Sequence, residues 1–234
     1  IGPNEHPTFA DYLHCKEQLM VNSTHCIIDA DTDYMLDVYE AAKATTDPDK
    51  IYLFSRDKKE FKDVQIDFNF SSISDTIDSN EIRVVANSQK AKKMDVEDDY
   101  KIGVVGDYNE ANAMSAIIAS ALDNASAQDA KKGLKDVFVP GRMESYKSKH
   151  NGTIYVDYAH NYASMHALLG FLKSNNPDGK VIVVVGSPGN KGLDRREGFG
   201  KALTESADIA FLTSDDPAFE DPKDIINEID SYIN

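Results

Sequence analysis

The chain has 234 residues, 41% of them apolar, enough for one large domain or two small ones with a sizeable core. A formal net charge of −15 excludes nucleic acid as the expected partner, because phosphate backbones are bound through clustered Lys and Arg. No run approaches the roughly 18 consecutive apolar residues that a membrane helix needs, and no basic stretch followed by an apolar one opens the sequence; a cytoplasmic monomer without membrane insertion is expected. Cys15 and Cys26 are too few for a disulfide framework and lack partners at zinc spacing, so both are read as reduced thiols.

In chain order, the first predicted element is a helix with Phe9, Leu13, Lys16 and Met20 on one face, at helical spacing. Strands are expected near residues 26–28 and 51–54, and residues 63–96 alternate in a way that suggests an antiparallel region of unassigned register. A long helix follows over about 109–124. Pro140 and Gly141 form a natural boundary, dividing the chain into residues 1–139 and 140–234.

Beyond that boundary, short apolar runs alternate with helical patterns, the signature of βαβ units in a mostly parallel sheet. Three strands are predicted, at residues 153–157, 181–185 and 209–213, the second an unbroken apolar run that suggests burial on both faces. Helices are predicted over about 163–173 and 199–204, and Asp221 with Pro222 opens a last one through Ile225, Ile226, Ile229 and Ile233. So small a sheet suggests further strands beyond Asn234.

Ligands of open α/β sheets bind at the carboxyl edge of the strands. Each predicted strand ends there in a chemically dense loop: Asp157, Tyr158, Ala159, His160 and Asn161 after the first; residues 186–191, with Gly186, Gly189 and Lys191, after the second; and Ser214, Asp215, Asp216, Pro217 and Ala218 after the third. The glycines of the second loop match neither the Walker spacing nor the dinucleotide fingerprint.

Gly141-Arg142-Met143-Glu144, Val156-Asp157-Tyr158-Ala159-His160 and Thr213-Ser214-Asp215-Asp216-Pro217, in that order, resemble the Mur ligases that add the third peptide residue of bacterial cell-wall precursors. Gly106, Asn109 and Asn112 at the head of a small-residue helix, and Glu5-His6-Pro7-Thr8-Phe9 at the start, extend the resemblance over nearly the whole chain. It implies an α/β fold: the latter part of a central ATP-binding domain over residues 1–139, then a doubly wound, Rossmann-like domain over 140–234. It also implies an ATP-dependent ligase using Mg2+, in which a substrate carboxylate takes the γ-phosphoryl of ATP and an amine displaces phosphate from the acyl phosphate.

Carried onto this sequence, the resemblance assigns Arg142 to ATP phosphates, Asp157 to the ribose or its water shell, His160 and Asn161 to the nucleotide's vicinity, and Asn109 and Asn112 to the adenine. Each has a plainer alternative: a solvated arginine, a helix cap at Asp157 or Asn109, a structural histidine at His160. Lys16 interrupts an apolar stripe, and an ammonium there must either snorkel or carry altered chemistry. In the family the matching lysine is carbamylated, giving an anionic oxygen ligand suited to magnesium.

The family's Arg-Asp pair after Gly-Asn is replaced here by Lys191 and Gly192, followed by Arg195 and Arg196, so which basic residue meets the amino-acid carboxylate is open, with Lys191 and Arg195 as candidates. Diaminopimelate ligases typically read Asp-Asn-Pro-Arg, the arginine binding a distal carboxylate bidentately. Ala218 stands in its place, and Asp216, Glu220 and Asp221 could attract a distal ammonium, with Asp215 in the same loop, which favours L-lysine as the residue added to UDP-MurNAc-L-Ala-D-Glu. The acidic residues could equally serve the start of the following helix.

No Gly-x-x-x-x-Gly-Lys-Ser/Thr loop occurs in the chain. The expected reading is therefore a piece of a longer ligase, inactive alone, whose phosphate loop and uridine-nucleotide domain precede Ile1. The alternatives are a folylpolyglutamate synthetase-like ligase and a non-catalytic binding module.

Overall fold

The structure, a computed structural model, describes residues 6–61, 63–150 and 152–234; Glu5 of the opening motif lies outside them. The chain divides into two compact units, one of residues 9–153 and the other of residues 154–234 with residues 6–8.

The first unit contains, in order, α1 (Phe9–Val21), β1 (Cys26–Asp29), α2 (Met35–Lys43), β2 (Ile51–Ser55), β3 (Glu60–Phe61), β4 (Val64–Gln65), β5 (Phe68–Thr76), β6 (Ser79–Ala86), α3 (Gln89–Lys92), β7 (Asp99–Ile102), α4 (Tyr108–Leu122), α5 (Ala127–Lys135) and β8 (Glu144–Lys147). Its main sheet has the order β1-β2-β5-β6-β7, parallel from β1 to β5 and antiparallel from β5 to β7. The antiparallel region read from the sequence is realised as β5 and β6, with Thr76 opposite Ser79 and a register shift between Ser72 and Ser74.

All five residues of β2 are buried, and their side chains alternate between two cores. Tyr52 and Phe54 join Phe68, Phe70, Ile82, Met114 and Ile117 in one, while Ile51 and Leu53 join Cys26, Ile28 and Met35 in the other. Cys15 is exposed, Cys26 is buried, and both are free thiols.

The stripe expected on α1 departs from this picture. None of its residues is buried, and Lys16 is exposed with Nζ 5.4 Å from the Tyr12 ring centroid. Only Met20, near the helix end, packs against the second core. The ammonium therefore stands in solvent, where it has no desolvation penalty to relieve.

The second unit carries β9 (Thr153–Val156), which begins one residue before the unit boundary, then α6 (Tyr162–Asn175), β10 (Ile182–Val185), α7 (Asp194–Ser206), β11 (Ile209–Leu212) and α8 (Pro222–Ser231). β10 and β11 pair in parallel, Ile182 opposite Ile209 through Val185 opposite Leu212. β9 does not join them among the described residues. Helices α6, α7 and α8 supply Met165, Leu169, Phe199, Leu203, Ile225 and Ile229 to a core that takes in Val183, Val185, Ala210 and Leu212. The opposite face, with Val184 70% and Phe211 57% exposed, is open among the described residues. The unbroken run at 181–185 is thus half-buried on one face and exposed on the other, because among the described residues helices line only one side of the pair.

The start of α4 is fixed by polar groups of the sheet. Asn80, fully buried on β6, donates through Nδ2 to the carbonyls of Val104 (3.0 Å) and Gly106 (3.2 Å). Gly106 sits at φ +99°, where a side chain is strained and a Cβ would meet the Tyr108 ring at 2.8 Å. Arg56, just past β2, lies 4.9 Å from the Phe70 ring centroid and donates to the fully buried Glu110 at 2.6 Å and to the Asp107 carbonyl at 3.4 Å. Its own amide donates to Asp31 at 2.7 Å.

Asp75 faces this cluster. Burial, then the charges of Asp107 and Glu110, push its carboxyl above the ordinary range against the opposing bond from the Gly106 amide, and its Oδ1 is buried with no hydrogen-bond partner. A carboxyl whose folded pKa is raised holds its proton more tightly in the folded chain. The folded state is therefore penalised increasingly as pH climbs from the ordinary value of 3.8 through the raised one. Asp75→Asn is expected to raise the urea midpoint at pH 7 and to leave it unchanged near pH 3. Identical midpoints for both proteins at pH 7 would refute this account.

Candidate functional site

In the first unit, Asn109 and Asn112 lie on the first turns of α4. Asn109 Nδ2 donates to the Val105 carbonyl at 2.8 Å, and Asn112 Nδ2 donates to Asn109 Oδ1 at 3.3 Å. Asn109 thus ties the helix to the preceding loop while orienting Asn112, which is exposed. Arg142 is also exposed, on a turn where Gly141 adopts φ +68° and Met143 φ +48°, and its amide donates to the Val139 carbonyl at 3.0 Å. The Gly141 amide donates to Glu144 at 3.0 Å, which holds the turn from its far side.

In the second unit, Asp157 is half-buried and accepts from the Ala159 amide at 2.8 Å, a local turn that aims the loop after β9. His160 is exposed, with Nδ1 3.0 Å from the Tyr158 carbonyl and its ring 5.0 Å from that of Tyr158. Asn161 caps α6: its side chain accepts from the Ser164 amide at 2.9 Å in a capping box. The cap accounts for this residue's Oδ1.

The loops after β10 and β11 are brought together. Gly189 donates its amide to the Asp216 carbonyl at 2.8 Å, and a Cβ on Gly189 would meet the Pro217 carbonyl oxygen at 1.9 Å, so only glycine fits. The Phe219 amide donates to Asn190 Oδ1 at 3.1 Å, and the Asn190 amide donates to Glu220 Oε1. Lys191, Asp215, Asp216 and Ala218 are exposed on this pair of loops, and Arg195 is half-buried beside Gly192. Asn190 and Ala218 both adopt left-handed backbone, φ +57° and +49°. Phe219 is fully exposed.

The structure gives Glu220 a use that its position in the sequence does not reveal. Its two oxygens accept from the Asn190 amide and from Arg196 Nη2 (2.8 Å), and these bonds hold the carboxyl below its ordinary range. Arg196 itself is 2% exposed and also donates to Glu228 on α8 at 2.5 Å. In the sequence Arg195 and Arg196 are indistinguishable; their positions on α7 leave one half-buried beside Gly192 and turn the other fully inward. Arg56, Glu110 and Asp75 escaped sequence reasoning for a related reason, since Arg56 and Glu110 are 54 residues apart.

The magnesium implied by the resemblance is not matched by donors here. Among the described residues no group of three or more His, Cys, Asp or Glu could hold a metal ion, and Lys16 would contribute one ligand from an exposed position. No helix of the described residues is long and apolar enough to cross a membrane.

The Mur ligase, glutamate ligase domain family matches residues 141–233. The UDP-N-acetylmuramyl-tripeptide synthetase of Ligilactobacillus salivarius is 54% identical over 235 residues, an alignment that takes in 100% of this chain and 46% of that protein. The UDP-N-acetylmuramoyl-L-alanyl-D-glutamate–L-lysine ligase of Enterococcus faecalis is 41% identical over 233 residues, covering 100% of this chain and 44% of the relative. Among solved structures, a pseudomurein peptide ligase type C from Methanothermus fervidus superposes with a TM-score of 0.70 at 20% identity, over 97% of this chain and 48% of that one, a likeness of α/β fold. The chain spans about half the length of the curated relatives it matches. Residues 141–233 are thus a Mur ligase C-terminal domain, and the similarity to the tripeptide synthetases continues through the residues that precede it.

Proposed function

We propose that this chain forms part of an ATP-dependent ligase that joins L-lysine to UDP-MurNAc-L-Ala-D-Glu through an amide bond. The observation that carries the ligase reading is 54% identity along the entire chain to a tripeptide synthetase. Ala218, where diaminopimelate ligases carry arginine, and the relative named as an L-lysine ligase support the choice of amino acid. In this reading residues 1–139 belong to the central ATP-binding domain and residues 140–234 to the carboxyl-terminal one.

ATP supplies the phosphoryl group that activates the substrate carboxylate. The residues of this chain would position and neutralise, as proteins do in phosphoryl transfer generally. Asn112, oriented by Asn109, is suited to the adenine; Arg142 offers an exposed fork of donors to phosphate oxygens; Asp157 and His160 flank the nucleotide, with Asn161 capping the helix that follows. Lys191 and Arg195 are the basic groups for the amino-acid carboxylate. Asp215 and Asp216, exposed on the adjoining loop, draw the distal ammonium, while Glu220 is engaged by Arg196.

Two measurements test this reading. The longer protein that contains this chain should release ADP only when UDP-MurNAc-dipeptide and L-lysine are both present; equal or faster turnover with diaminopimelate would overturn the assignment of Ala218. Lys16 is exposed to dissolved carbon dioxide, and a carbamate would form at its nitrogen only after the ammonium gives up a proton, with a second proton released to solvent as the N–C bond forms. Lys16→Arg, which keeps the charge and cannot be carbamylated in the same way, should abolish turnover in that protein; parental turnover in the variant would remove the carbamate from the mechanism.

A further inference from the structure

We propose that Arg196 is a positioning residue for amino-acid selection: by gripping Glu220 it locks the loop of residues 213–221 onto that of residues 186–196, so that the incoming amino acid meets one fixed surface. This rests on the ligase reading given above and deepens it.

Arg196 is 2% exposed, too enclosed to meet a substrate itself. Its guanidinium is shared between two carboxylates on different elements, Glu220 in the loop after β11 (2.8 Å) and Glu228 on α8 (2.5 Å), and reaches the Pro188 carbonyl at 3.4 Å. The planar fork of arginine suits this; the ammonium of lysine is a point charge and does not reproduce it. Through Glu220 the grip passes to the Asn190 amide, and Asn190 in turn accepts from Phe219. The exposed residues assigned to the amino acid, Lys191 on one loop and Asp215 and Asp216 on the other, therefore have their spacing set by this chain of bonds together with the Gly189 amide bond to the Asp216 carbonyl.

The two partners of Arg196 provide an internal comparison. In the full-length ligase, Glu220→Gln should raise KM for L-lysine roughly tenfold, the scale of one hydrogen bond to a charged group, with KM for ATP and for the dipeptide substrate within about twofold of the parent. Glu228→Gln breaks the other ion pair of the same arginine and should lower the melting temperature without moving KM for L-lysine. Arg196→Lys should behave as Glu220→Gln does. Inhibition by L-norleucine, which lacks the distal ammonium, should weaken in Glu220→Gln by the same factor as lysine binding.

Three results would overturn the proposal. One is an unchanged KM for L-lysine in Glu220→Gln; another is an equal rise in Glu220→Gln and Glu228→Gln, which would make the effect one of general stability. The third is a loss of lysine binding with norleucine inhibition intact, which would make Glu220 a direct partner of the ammonium. A parent enzyme that does not use L-lysine at all would refute the functional reading instead, and is measured first.

Discussion

Burial of β2 on both faces is the constraint on which the first unit depends. Its residues alternate between two cores, Tyr52 and Phe54 on one side and Ile51 and Leu53 on the other, so that with β1 beside it the strand forms the wall between them. Each such side chain removed from water stabilises the fold by roughly 1.5–3 kcal/mol. The price of a central strand is that its backbone must be satisfied internally, and part of this is done by Asp67, whose carboxylate accepts from the Leu53 amide at 2.9 Å and lies 3.3 Å from Lys90 Nζ. At the carboxyl end of β2 further polar contacts take over: the Lys58 amide donates to Ser55 Oγ at 2.9 Å and Lys58 Nζ to the Ala30 carbonyl at 2.8 Å.

From that end the polar network spreads to α4. Ser55 and the Arg56 amide both donate to Asp31, at 2.8 and 2.7 Å, and Arg56 continues to Glu110. A helix whose first turn carries nucleotide-facing asparagines in the proposed reading is thus attached to the sheet by charge as well as by the apolar contacts of Met114 and Ile117. In the second unit the division of labour differs. Three helices cover one face of β10 and β11 with apolar side chains, and the polar work is done by loops.

How much of this was legible in the sequence follows from the range of the forces involved. Periodicity located α1, α4, α6, β1, β2, β10 and β11 to within a few residues, because it reports which face an element buries, and the Asp221-Pro222 start of α8 is local capping chemistry. Two readings failed where burial depended on a partner the pattern does not name. The Phe9, Leu13, Lys16 and Met20 stripe has helical spacing but little to pack on, and the valines of β10 form an apolar run that is covered on one side only. The parallel pairing of β10 and β11 is legible, but β9 has the composition of a third member and does not join them. The candidate site shows the same limit. Motifs named the loops, whereas the inward turn of Arg196, the capture of Glu220 and the repulsion around Asp75 all come from contacts between residues distant in the chain.

The closeness of Gly189 to Pro217 has an implication for how such a site can change. With a carbonyl oxygen standing where a side chain would begin, the two loops behave as interlocking parts with no clearance between them. Neither can lengthen, or take up a bulkier residue at the point of contact, unless its neighbour is reshaped in the same step. Variation in this region should therefore travel in matched pairs of segments, and a loop transplanted singly from a relative would arrive without the socket it was shaped against.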